Sequence, residues 1–181
     1  ITDVHIQPEL KALEVWKKTL SHINEDSRDY NLVITGGDAV MNATNEEEKR
    51  IELQWDLWQE GLTSLTRIES LHCIGNHDVL SWKTNDETAS LQKKRAVNEL
   101  KMPCRYYSVD RGGWHIIFLD SCQPLNGDYI AKLDRQQFQW LKSDLIDSKS
   151  MPVIIVSHVP ILSVTGPVYD NNRIIKNRIF C

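Results

Sequence analysis

The sequence predicts an α/β fold in which short strands alternate with helices. Apolar runs at 32–35, 71–74 and 153–156 are each followed directly by glycine or polar residues, as strands that end at a loop would be. Amphipathic helical patterns occupy the segments between them. No internal repeat, low-complexity tract or linker divides the chain, and 181 residues fit the ~100–200 residues of one domain. We therefore expect residues 1–181 to form a single domain.

The N-terminal half is predicted to contain two helices and two strands. Pro8 opens the first helical pattern, since its missing N–H costs nothing in a first turn. Residues 44–47 have the form of a capping box before the second helix. The apolar faces are Leu10, Leu13, Trp16, Leu20 and Ile23 on the first helix, and Ile51, Trp55, Trp58, Leu62 and Leu65 on the second. We expect the tryptophan-rich stripe to pack against the sheet rather than bind a ligand.

The C-terminal half is predicted to alternate in the same way. Residues 81–100 indicate a loop and a solvated helix, and we interpret the basic run 93–95 as an exposed face rather than a substrate contact. Residues 106–110 and 115–120 predict a hairpin, joined by an Arg-Gly-Gly segment whose glycines permit positive φ. Asp134 is predicted to cap a helix. That helix has the apolar residues Phe138, Leu141 and Leu145.

Polar clusters mark the ends of these strands. The clusters are Asp3-Val4-His5, Gly37-Asp38, Gly75-Asn76-His77-Asp78 and Ser157-His158. Because successive strands of an open α/β sheet deliver their carboxyl ends to one edge, these residues are expected to converge. Carboxylate, amide oxygen and neutral imidazole are ligands for divalent ions, and Asp38 has two oxygens with which to bridge two ions. The sequence therefore predicts a metal site.

This ordered set resembles the calcineurin-like metallophosphoesterase family, whose pattern runs D-x-H, G-D, G-N-H-[DE], H and G-H-x-H. The resemblance spans nearly the whole chain and implies a layered α/β/β/α sandwich with mixed sheets. It implies that Asp3 and His5 bind one metal ion and that Asp38 bridges both ions. It also implies that Asn76 and His158 bind the second ion.

The same resemblance implies an enzyme. His77 matches the catalytic histidine beside the phosphate, and Asp78 matches the residue that orients it. The implied activity is hydrolysis of small phosphate esters, with phosphodiesters favoured. The nucleophile is a hydroxide that bridges the metals, because two adjacent ions lower the pKa of bound water toward ~7. The implied cofactors are two divalent ions, with manganese, iron or zinc preferred for an oxygen and imidazole ligand set.

The sequence departs from the family pattern at its end. The six histidines are His5, His22, His72, His77, His115 and His158, so the G-H-x-H motif is absent. We expect the chain to be part of a longer protein, incomplete at both ends and lacking its C-terminal part; the rival interpretation is a truncated form that cannot hold two metals. The functional alternatives are a metal-deficient binding or regulatory module of the same fold, and a phosphomonoesterase.

Charge and composition limit the partners. The net charge of −4 and the absence of a long basic run indicate neither nucleic acid nor an anionic membrane as a partner. No apolar stretch approaches the ~20 residues that cross a bilayer. The location stays open between cytoplasm and bacterial periplasm or secretion, and the oligomeric state is not indicated.

The remaining reactive side chains are interpreted as structural. Cys73, Cys104, Cys122 and Cys181 have no zinc-like spacing, and free thiols are expected. Of the histidines outside the motifs, the first is expected to be exposed, and those at positions 72 and 115 are expected to lie within strands. Asp120-Ser121 is expected to end a strand and to shape the edge of the sheet.

Overall fold

The computed structural model describes residues 1–26, 28, 30–84 and 88–161, and within them the chain has a mixed α/β fold. The α/β class that the sequence predicts is confirmed. Four helices and seven strands follow one another within these residues. They are α1 (Ala12–Glu25), β1 (Leu32–Thr35), α2 (Glu48–Leu62), β2 (Glu69–His72), α3 (Ala89–Glu99), β3 (Tyr107–Arg111), β4 (Trp114–Leu119), β5 (Cys122–Leu125), β6 (Asp128–Ala131), α4 (Arg135–Asp147) and β7 (Val153–Ser157).

The described strands form three small sheets. β1 and β2 run parallel, so that Thr35 at the end of one pairs with His72 at the end of the other. β4 lies between β3, which is antiparallel to it, and β7, which is parallel to it. Leu119 and Ser157 are paired at the carboxyl ends of β4 and β7. β5 and β6 form a separate antiparallel pair. Parallel pairing therefore brings the ends of β1 and β2 together, and likewise those of β4 and β7.

The N-terminal segment runs beside the residues that follow β1. The amide of Asp3 donates to the carbonyl of Gly37 over 3.1 Å, and the amide of His5 donates to that of Asp38 over 3.0 Å. A parallel bridge between Ile6 and Val40 continues this pairing. The first polar cluster is thereby placed against the second.

Helices α1 and α2 pack through aromatic rings. Trp16 and Trp58 stack with ring centroids 4.9 Å apart and planes inclined by 17°. Gly61 allows this approach, because a Cβ atom built there would overlap the indole of Trp16. Trp55 and Trp58 are fully buried, as the sequence predicts for a core stripe.

Two helix starts differ from the prediction. α1 begins at Ala12 rather than at Pro8, because Leu10 and Lys11 have φ values of 57° and 56°, which a right-handed helix excludes. Leu10 is 83% exposed and belongs to no core face. α2 begins at Glu48, and its N-cap residue makes no side-chain capping bond. The Thr44 hydroxyl, expected to cap it, instead donates to a carbonyl of the β2–α3 loop.

In the C-terminal half the hairpin of β3 and β4 and the cap on α4 agree with the prediction. Asp134 accepts the amide of Gln137 at 2.9 Å. The interpretation of the basic run as an exposed face is wrong at Lys93, which is 1% exposed. Its ammonium lies 2.8 and 2.7 Å from the two carboxylate oxygens of Asp120, a partner that offsets the cost of burying its charge.

The pair β5–β6 is absent from the sequence prediction.

Of the four cysteines, Cys181 lies outside the described residues. Cys73, Cys104 and Cys122 are free thiols. Among the described residues, no helix combines the length and apolar character that a membrane span needs.

Candidate metal centre

Asp38 lies at the centre of the candidate site. It follows β1 after two glycines, has a φ of 53° and is 3% exposed. A Cβ atom on Gly37 would lie 2.7 Å from the amide nitrogen of Gly75 and 2.8 Å from Nδ1 of His158, closer than real contacts allow. A Cβ atom on Gly75 would overlap the Asp38 carboxylate. The glycines are therefore needed for the loops after β1 and β2 to approach each other.

One group of possible ligands comes from the N-terminal segment. Nε2 of His5 lies 3.8 Å from Oδ1 of Asp3 and 3.6 Å from Oδ2 of Asp38. Nδ1 of His5 is buried and has no hydrogen-bond partner among the described residues. All three residues have φ between 49° and 54°, a left-handed conformation that is uncommon outside glycine and concentrates at functional sites.

A second group forms around His158, directly after β7. Nδ1 of this ring lies 2.9 Å from the carbonyl oxygen of Gly36, so Nδ1 is the protonated nitrogen that donates. Nε2 then faces Oδ1 of Asn76 at 3.0 Å and Oδ2 of Asp38 at 3.4 Å. In the neutral ring, three electron-rich atoms therefore converge. A cation among them would remove their mutual repulsion.

His77 lies at the open side of the cluster. Its amide donates to Oδ1 of Asp38 at 2.8 Å, and its ring stands edge-on to that of His5 with centroids 4.7 Å apart. Nδ1 lies 2.5 Å from the carbonyl oxygen of Met41, which can only accept. Nδ1 therefore carries the proton, and Nε2 is left for a substrate or an ion.

Asp78 is fully buried and differs from its expected role. Its oxygens accept the amides of Asp38, Ala39, Val40 and Gly75 at 2.8 to 3.2 Å, and the ring of His77 is instead held by the Met41 carbonyl. Burial, together with the nearby carboxylate of Asp38, raises the pKa of Asp78 to about 6. Asp78 thus joins the loops after β1 and β2 instead of orienting the imidazole.

The structure brings all seven predicted site residues together. Two sets of ligand atoms, each within 4.8 Å of one another, could hold an ion. The sets are His5, Asp38 and His77, and Asp3, Asp38 and His158. Asp38 belongs to both, as a bridging ligand would, whereas Asp3 and His5, expected on one ion, fall into different sets. Oxygen and imidazole donors fit manganese, iron or zinc.

Sequence reasoning missed the groups that hold the ligands in place. The carbonyls of Gly36 and Met41 fix two imidazole rings, and the hydroxyl of Thr2 donates to Asp3 at 2.5 Å. Backbone carbonyls leave no trace in residue type, so no sequence signal could have found the first two.

The histidines at positions 72 and 115 have structural partners, as interpreted. Nδ1 of His72 contacts the hydroxyl of Thr35 at 2.8 Å, and burial lowers the pKa of this histidine to about 4. His115 lies between Asp110 and Asp144, at 2.7 and 2.8 Å. Burial lowers the pKa of His115, but the hydrogen bonds and negative charges of Asp144 and Asp110 together raise it above the ordinary value.

Neither a protein-family model nor a curated protein matches the chain. The geometry of the site and the order of its motifs are the observations that bear on its chemistry.

Proposed function

We propose that this protein is a calcineurin-like metallophosphoesterase, built on that family's α/β/β/α sandwich, which hydrolyses phosphate esters with two divalent metal ions. The observation that carries the proposal is the position of Asp38, whose Oδ2 lies 3.6 Å from Nε2 of His5 and 3.4 Å from Nε2 of His158. One buried carboxylate shared by two imidazole-containing sets is the arrangement that a dinuclear site needs.

The proposed ligands come from separate strand ends. Asp3 and His5 approach the ions from the N-terminal segment, and Asn76 and His158 approach from the loops after β2 and β7. Manganese, iron or zinc fits these donors. When bound, such ions would neutralise the phosphoryl oxygens and supply hydroxide at neutral pH.

The proposed proton donor is His77. Because Nδ1 donates to the Met41 carbonyl, a proton for the leaving oxygen would come from Nε2 of the doubly protonated ring, which would then return to the neutral form. General acid catalysis of this kind typically contributes ~10²–10⁴-fold. Asp78 would act through the backbone, because its contacts with four amides fix the loop that contains Asp38.

A small phosphodiester is the favoured substrate. Among the described residues, no lysine or arginine forms a hydrogen bond or an ion pair with any of the seven site residues. A phosphodiester has one negative charge, whereas a monoester has nearly two at neutral pH and needs more positive charge around it. Two ions with no further cation against their ligands would match the single charge of a diester.

Chromogenic esters test this proposal. The purified chain is supplied with Mn²⁺ and assayed on bis-p-nitrophenyl phosphate and on p-nitrophenyl phosphate. Faster hydrolysis of the diester is expected, and faster hydrolysis of the monoester would make the protein a phosphomonoesterase. Tight binding of two ions without hydrolysis of either ester would contradict the proposed enzymatic activity. Absence of metal binding would favour the non-catalytic module.

A further inference from the structure

Ser121 connects the end of β4 to the candidate metal ligand His158. Ser121 is fully buried, and its hydroxyl oxygen accepts the amide of Val159 at 2.9 Å. The carbonyl of Val159 accepts the hydroxyl of Ser157 at 2.7 Å. Both backbone groups of Val159 are therefore occupied, and His158 stands between two restrained neighbours.

Ser121 is itself fixed by a buried polar network around the preceding residue. The amide of Asp120 donates to Oε1 of Gln137 at 2.8 Å, and its carbonyl accepts Nε2 of Gln137 at 2.9 Å and Nε2 of Gln123 at 3.0 Å. The carboxylate of Asp120 pairs with Lys93 and with Arg105. The end of β4 is thus tied to α3, α4 and β5 at once.

A second restraint acts on the backbone of Ser121. Its carbonyl accepts the amide of Lys132, the residue after β6, at 3.0 Å. Because these bonds lie in the interior, where polar groups are costly to leave unpaired, they define one position for Ser121.

We propose that Ser121 is a positioning residue for the metal ligand His158 and acts through the amide of Val159. The inference rests on the proposed function, because His158 needs a defined position only if it binds an ion. The Gly36 carbonyl sets the rotation of the ring, and Ser121 sets the backbone from which the ring projects. An alanine at 121 would leave the buried Val159 amide without an acceptor, which a protein interior avoids.

Titration of the metal-free chain with Mn²⁺ by calorimetry tests this role without any assay of activity. Ser121→Ala is expected to weaken binding of one ion roughly 10-fold, the usual effect of removing a group that supports a ligand. The matched control is Ser108→Ala. Ser108 lies on β3 of the same sheet and donates to Asp144 at 2.7 Å, away from the candidate centre. Ser108→Ala should leave the affinities for both Mn²⁺ ions unchanged.

Hydrogen exchange at the Val159 amide provides a second measurement. Exchange should be slow in the wild-type chain and faster in Ser121→Ala. Ser121→Cys keeps an atom with lone pairs at this position but offers a weaker acceptor, so it should show an intermediate loss of affinity even if the alanine variant folds poorly.

The possible outcomes separate this inference from the proposed function. Two ions bound equally well by the wild-type, Ser121→Ala and Ser121→Cys chains would overturn the positioning role and leave the metal centre intact. An equal loss in Ser108→Ala would also overturn it, because the effect would then be general destabilisation. Failure of the wild-type chain to bind Mn²⁺ would overturn the proposed function, and the inference with it.

Discussion

Nε2 of His158 lies 3.4 Å from Oδ2 of Asp38, although the two residues follow different strands in different sheets. The contact joins the loop after β1 to the loop after β7. Nε2 of His5 approaches the same oxygen at 3.6 Å. One buried carboxylate oxygen thus faces two imidazoles, and this arrangement determines what the centre can bind.

Replacing Asp38 with alanine is expected to abolish metal loading. The carboxylate belongs to both possible ligand sets, so its removal takes one donor from each. The measurement is the metal content of the purified chain after incubation with Mn²⁺ and desalting. Asp56→Ala, on the exposed face of α2, is the control and should load normally. Full occupancy in the Asp38 variant would refute the bridging role.

His77→Ala is expected to retain both ions and to lower turnover of bis-p-nitrophenyl phosphate by ~10²–10⁴-fold, the usual contribution of a general acid. Metal content and turnover are measured on the same sample. His22→Ala, exposed on α1, serves as the control. Loss of one ion would instead make His77 a ligand, which its place in a ligand set allows. Unchanged turnover would remove it from the mechanism.

Gly75→Ala is expected to prevent metal binding, because the added Cβ would overlap the Asp38 carboxylate and its amide. Gly61→Ala is the informative comparison, since its Cβ would overlap Trp16 between α1 and α2, away from the centre. Both variants should have a lower melting temperature. Only Gly75→Ala should lose Mn²⁺ affinity in calorimetry. Equal losses in the two variants would show that global stability, not local fit, controls binding.

Local signals predicted much of the fold. The hairpin of β3 and β4 and the cap at Asp134 depend on neighbouring residues, and both appear as expected. The β5–β6 hairpin was also readable, because Asn126 and Gly127 form the dipeptide that a two-residue turn favours and both have positive φ.

Features that depend on distant partners could not be predicted. Lys93 reads as exposed within a basic run, because Asp120, which neutralises it, lies 27 residues further along the chain. Leu10 fits an apolar helix face, but its backbone is left-handed, and α1 therefore begins only at Ala12. In the candidate site, residue types and order were readable, but the contacts of Asp78 with four amides were not. They depend on how two loops pack.

Acid is expected to destabilise the fold through His72, which lies at the end of β2. Burial, with a smaller contribution from the positive charge of Lys101, lowers the pKa of His72 from 6.5 to about 4. The folded state therefore resists protonation of this ring, whereas the unfolded chain accepts a proton at the ordinary pKa. The contribution of His72 to the free energy of unfolding is complete above pH 6.5 and is lost as the pH falls toward about 4.

The expected loss is roughly 3 kcal/mol of the free energy of unfolding, by the conversion of 1.36 kcal/mol for each pKa unit. Urea unfolding at neutral pH and near pH 4 measures it. Since carboxylates also titrate in this range, the decisive quantity is the difference between wild-type and His72→Asn. Asparagine can keep the contact with the Thr35 hydroxyl but does not titrate, so its pH dependence should be flatter. The exposed His22→Asn should follow the wild-type curve. Equal slopes for wild-type and His72→Asn would show that His72 does not limit stability in acid.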